Sequence, residues 1–170
     1  MNKKLSFFLQ DLHILFVCLL LSMAACQAER AVVAQETPNR ASELEQDIHS
    51  LVNAHRSTLG LGPFSYSEEV AGVARQHSQA MATGRSNFSH AGADKRQQVL
   101  ARKIAFRRFA ENIAMNTYRS DVAGKKAFDD WLTSSGHRAA IEGNFNQTGI
   151  GVAQDSAGAF YFTQIFVLAQ

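Results

Sequence analysis

Phe160-Tyr161-Phe162-Thr163-Gln164-Ile165-Phe166-Val167-Leu168 is the stretch that settles the architecture. Successive side chains of a strand point to opposite faces, so residues of one parity share a face. Here both parities carry large apolar groups: Phe160, Phe162, Phe166 and Leu168 on one, Tyr161, Ile165 and Val167 on the other. Such a strand is buried on both sides, which requires helices above and below its sheet. Upstream, a turn at Asp155 to Gly158 follows Gly149-Ile150-Gly151-Val152-Ala153, so the last third of the chain reads as a β-hairpin.

The covering helices are expected in the first two thirds. Ser42 and Glu45 form a capping-box pattern, and Leu44, Ile48, Leu51, Val52 and Leu59 recur behind it at helical spacing before Gly60-Leu61-Gly62-Pro63. A second such pattern, Ser65 with Glu68, predicts a helix whose Val70, Val73, Ala74, His77 and Met81 share one face, with Gly84 as the stop. On that apolar stripe His77 reads as a hydrogen-bonded packing residue rather than a ligand. Residues Asn87 to Asp94 read as a loop and Asp94 to Lys103 as a short helix. A further helix is predicted from Asp121 to Leu132, with Val122, Phe128, Trp131 and Leu132 as its buried residues, and a helical turn from His137 to Ile141. Lys95, Arg96, Arg102, Lys103, Arg107 and Arg108 form a run with no acid among them. It reads as a solvated face, with contact to an anionic membrane as the alternative.

The N-terminus carries an export pattern: Lys3 and Lys4, then an apolar run from Ile14 to Leu21, then Ala24 and Ala25. That run is shorter than the roughly 20 apolar residues of a membrane span. Leu21-Ser22-Met23-Ala24-Ala25-Cys26 resembles a lipobox, with Cys26 as the lipidated residue, and the alternative is ordinary cleavage near Ala25 or Ala28. The expected organisation is a signal peptide over 1–25, a flexible tether over 26–41 and one domain over 42–170. Cys18 falls in the signal, so the domain holds no cysteine and relies on its core alone. Removing Lys3, Lys4 and Asp11 takes the 17 basic and 15 acidic residues to 15 and 14, a balance that favours no charged partner.

Five separated pieces resemble the CAP superfamily (cysteine-rich secretory, antigen 5, pathogenesis-related 1; SCP-like domain): Asn87-Phe88-Ser89-His90, Ala110-Glu111-Asn112-Ile113-Ala114, Trp131-Leu132-Thr133-Ser134-Ser135-Gly136-His137-Arg138, Thr148-Gly149-Ile150-Gly151-Val152 and Tyr161-Phe162-Thr163-Gln164. The resemblance implies an α+β fold, an α-β-α sandwich whose central, mainly antiparallel sheet is covered by helices on both faces, with a large surface cleft. Members of the family place two histidines and two acidic residues around that cleft, an arrangement associated with divalent metal. His90 matches the first histidine and Glu111 the first glutamate. Ser134 stands where many members have the second glutamate, and Tyr161 where many have the second histidine. His137 is the candidate substitute, and Ser134, Tyr161 and Asn112 are expected to line the cleft.

The chemistry of the trio stands apart from the resemblance. Two imidazoles and a carboxylate are the ligand set of some catalytic zinc sites, with a fourth position for water. Without metal, a glutamate beside a histidine can fix its tautomer for acid-base work. Alternatively, Glu111 crosslinks loops and the histidines bond to backbone. The sequence contains no H-E-x-x-H and no G-x-S-x-G, and no Gly-rich phosphate loop. Cys26 lies in the tether rather than a pocket, and nothing points to nucleic acid. The expectation is therefore an exported domain, on a cell-envelope lipoprotein or in a secreted or periplasmic protein. Its cleft would take a divalent metal such as zinc, a lipid or a cell-envelope component. The alternative function is a metal-dependent hydrolase of peptides or envelope polymers using His90, Glu111 and His137.

Overall fold

In the computed structural model, residues 40–170 are described. The export segment, Cys26 and the tether up to residue 39 lie outside the described residues. Arg40 and Ala41, expected in the tether, are already helical. Ser42 is therefore inside the first helix, α1 (40–58), and is not its cap. Glu45 makes no capping box either. Its carboxylate is buried and accepts from Arg75 Nη2 at 2.7 Å and from the backbone N–H of Val152 at 3.1 Å.

The elements after α1 are β1 (Ser65–Tyr66), α2 (Glu68–Ala82), α3 (Ala93–Ala101), β2 (Phe106–Asn116), α4 (Ser120–Thr133), α5 (Ser135–Ile141), β3 (Gln147–Gln154) and β4 (Phe160–Ala169). The strands form one sheet in the order β1-β3-β4-β2. Only the two-residue β1 runs parallel to its neighbour; β3 with β4 and β4 with β2 are antiparallel. The sheet is thus mainly antiparallel, and β4 lies inside it between β3 and β2.

The two parities of β4 divide the core. Phe160, Phe162 and Phe166 pack with Leu44, Ile48 and Val52 of α1, Phe128 and Trp131 of α4 and Ile141 of α5. Ile165 and Val167 pack with Val70, Val73 and Ala74 of α2 and Leu100 of α3. Burying one Phe or Ile contributes about 1.5–3 kcal/mol, so neither layer is dispensable.

The helix and strand predictions need four adjustments. Ser67, not Ser65, caps α2 and accepts from Val70 N, because Ser65 and Tyr66 are drawn into the sheet as β1. Val122 is exposed, and Ala123 and Ala127 take its place in the α4 interface. Leu59 lies beyond the end of α1 and is also exposed. Finally, β2 is absent from the sequence reading, since Phe106-Arg107-Arg108-Phe109 breaks the alternation and its register slips between Phe106 and Phe109. A bulge of this kind bends an edge strand and leaves both arginines exposed.

Sheet edges are closed by side chains. At the β2 edge, Trp131 Nε1 donates to the carbonyl of Ile113 at 2.9 Å. At the β3 edge, β1 pairs only with Gln147 and Thr148, and Glu45 takes the N–H of Val152 further along. Both devices remove groups that would otherwise invite another strand. Tyr66, against the Glu45 carboxylate, has its phenol pushed up to about 12 by burial and that negative charge.

Candidate functional site

Glu111 sits in β2 opposite Ile165, whose side chain belongs to the α2/α3 layer. Directly opposed residues share a face, so Glu111 points into that layer. Its carboxylate is only 3% exposed and has three close donors. Arg96 Nε donates to Oε2 at 2.6 Å, Arg96 Nη2 to Oε1 at 2.7 Å, and His90 Nδ1 to Oε1 at 2.9 Å. The Arg96 fork is bidentate, the strongest common way to pair a carboxylate.

His90 lies on the segment between α2 and α3, and its imidazole is 49% exposed. Three contacts hold this segment: His77 Nε2 donates to the carbonyl of Ser89 at 3.1 Å, and Arg96 donates to the carbonyls of Ala91 at 3.0 Å and His90 at 3.4 Å. His77 is thus the packing residue its position on the α2 stripe predicts. Burial, with the Arg96 charge second, pushes its imidazole below the ordinary value.

A carboxylate only accepts hydrogen bonds, so His90 Nδ1 carries the proton that Glu111 holds. With Nδ1 committed to Glu111, Nε2 is the ring nitrogen left to meet a ligand. His137 stands nearby on α5, with ring centroids 6.1 Å apart and planes at 47°. Burial, and then the neighbouring His90, push the His137 imidazole below its ordinary value. α5 itself is pinned by Asn112 Nδ2, which donates to the His137 carbonyl at 3.0 Å.

The structure therefore brings His90, Glu111 and His137 into one neighbourhood but does not arrange them as three metal ligands. Among the described residues no group of three His, Cys, Asp or Glu side chains is placed to hold a metal ion. The hydrogen bonding points the same way: both Glu111 oxygens already accept from Arg96, and one also from His90. As arranged, the donor set does not fit a three-ligand metal centre.

The other expected residues have different roles. Asn112 is 1% exposed, so it anchors α5 instead of lining the cleft. Ser134 is the junction between α4 and α5, and its carbonyl accepts from Arg138 N. Tyr161 is half-buried and turns its hydroxyl to Asp155 Oδ2 at 3.4 Å, towards the hairpin turn. Arg96 is the site residue that sequence reasoning misses. Its basic run precedes Glu111 in the sequence, but nothing in that run singles out Arg96 as the partner.

The profile of the CAP family, the cysteine-rich secretory protein family, matches residues 49–166. The chain belongs to the CAP family. An uncharacterized membrane protein YlbC of Bacillus subtilis (strain 168) is 32% identical over 126 residues, covering 72% of this chain and 34% of that protein. The chain thus spans about a third of that curated relative's length. Among solved structures, an extracellular SCP-domain protein of Bacillus anthracis str. Ames is 30% identical with a TM-score of 0.65, over 78% of this chain and 43% of that one. An outer surface protein of Borrelia burgdorferi, 15% identical, shares the fold with a TM-score of 0.64 over 75% of this chain and 94% of that one. This CAP domain has no cysteine among residues 40–170, so its sandwich stands without disulfides.

Proposed function

We propose that this CAP domain works outside the cytoplasm as a binding module whose ligand is seated against His90 and His137. The observation that carries this reading is the saturation of Glu111. A carboxylate held by a bidentate arginine and a histidine is engaged in positioning, which leaves His90 Nε2 free to meet a ligand. Apolar surface is available close by in sequence and register. Phe88 is 48% exposed two residues before His90, and Met115, 44% exposed, lies on the same β2 face as Glu111. A molecule with a hydroxyl or other donor at one end and an apolar body suits this combination, which favours a lipid or an amphiphilic cell-envelope component.

Export is supported by the N-terminal pattern ending at Cys26 and by the extracellular relative at 30% identity. With Cys26 lipidated, the domain would be held at the membrane that supplies such ligands. Metal-dependent hydrolysis draws no support from this arrangement, because Glu111 would first have to leave Arg96.

The test is a mass-spectrometric inventory of small molecules retained by the exported wild-type domain and by a His90→Ala/His137→Ala variant. The expected result is an amphiphile in the wild type that the variant lacks. Identical inventories, or turnover of a polymer substrate by the wild type, would overturn the binding-module reading.

A further inference from the structure

We infer that Arg96 is a resident cation that makes this site independent of metal, and that removing it would create a metal site. A carboxylate 3% exposed needs a compensating positive charge. A divalent ion bridging it to His90 and His137 is one way to supply that charge. In this chain the guanidinium supplies it instead, at 2.6 and 2.7 Å.

Two further observations fit that role. Arg96 is 13% exposed, whereas Lys95, Arg102, Lys103, Arg107 and Arg108, the rest of its basic run, are exposed. Only Arg96 is committed inward. Its remaining donors grip the carbonyls of His90 and Ala91, so the same cation fixes both the acid and the segment that carries the imidazole. A metal entering here would have to separate a bidentate pair and strand a largely buried guanidinium. Without Glu111 it would find only two imidazoles, fewer protein ligands than catalytic zinc sites provide.

Take the guanidinium away and the balance reverses. A buried carboxylate then lies beside the His90 imidazole, whose ring centroid is 6.1 Å from that of His137, and small side-chain rotations would offer zinc two nitrogens and one oxygen. Arg96 is thus a specificity-determining and positioning residue.

The experiment is a competitive zinc titration against a chromophoric chelator. It compares the wild-type domain with Arg96→Met, Arg96→Gln and Arg96→Lys, each with and without His90→Ala. The expected result is no His90-dependent zinc binding by the wild type or by Arg96→Lys, which keeps the charge. Arg96→Met should bind at least about tenfold tighter than wild type, with the gain abolished by His90→Ala. If Arg96→Met does not fold, Arg96→Gln, neutral but still able to donate to Glu111, carries the same comparison. His90-dependent zinc binding by the wild type overturns the proposal, as does a folded neutral variant with no gain. The proposal rests on the binding-module reading only for what the cleft then holds. Zinc titration does not involve that ligand, so the two can fail separately.

Discussion

Glu111→Leu should be among the most damaging substitutions in the α2/α3 layer, and the damage should be undone by a second substitution. Removing the carboxylate leaves the Arg96 guanidinium, 13% exposed, without its partner. Breaking a buried ion pair from one side costs about 3–5 kcal/mol, whereas replacing both members with apolar residues of similar size is close to neutral. The lost His90 contact adds about 1 kcal/mol. For a domain of about 130 residues, a total loss of about 4–6 kcal/mol lowers Tm by roughly 15–22 °C. The assay is urea unfolding of wild type, Glu111→Leu, Arg96→Met and the double variant, analysed as a double-mutant cycle. Each single variant should lose several kcal/mol, and the double variant should recover most of that loss. Single losses below about 1 kcal/mol, or strictly additive losses, would show that Glu111 and Arg96 are not a coupled buried pair.

Other expectations follow from the same geometry. A Cβ on Gly149 would overlap the backbone of Val70 and Ala71, so Gly149→Ala should cost at least about 1–3 kcal/mol, read as a lower Tm. Trp131→Phe leaves the Ile113 carbonyl without its donor and should cost about 1–3 kcal/mol in chemical denaturation. Folding lowers the imidazole values of His77 and His137, so below the ordinary value of 6.5 the unfolded chain binds more protons than the native one. The stability these two groups contribute is present above 6.5 and is lost as pH falls through that value towards their lowered ones. Urea midpoints at pH 7 and pH 5 should show the loss, and His77→Gln should reduce it; an unchanged pH slope in that variant would remove His77 from the account.

How far the sequence reaches depends on whether neighbours along the chain or partners across the fold decide a residue's role. The two-faced β4 and the stripe of α2 are local patterns, and each predicts its burial correctly. β2 escapes because its arginines and bulge spoil the alternation, and its strand character comes from pairing with β4, more than 40 residues later. Ser42 with Glu45 illustrates the opposite failure: a valid local motif is overridden when Glu45 is recruited by Arg75 and Val152. Within the site, motif order is enough to bring together His90, Glu111 and His137. Nothing local distinguishes Arg96 from the five other cations in its run, and only the fold shows which of them meets the carboxylate.

The bare backbone of β3 at Gly149 and Gly151 sets a limit on adaptation. Helix α2 lies against those two residues with no side chain between, and Ser78 adds a hydrogen bond to the Gly151 carbonyl at 2.8 Å. With nothing compressible in the seam, the helix cannot tilt or slide against the sheet without a clash. The same helix carries His77, which supports the backbone just before His90. The placement of His90 is therefore referred, through His77 and α2, to the sheet itself. A side chain larger than hydrogen at either glycine would displace α2 and, with it, the support beneath His90.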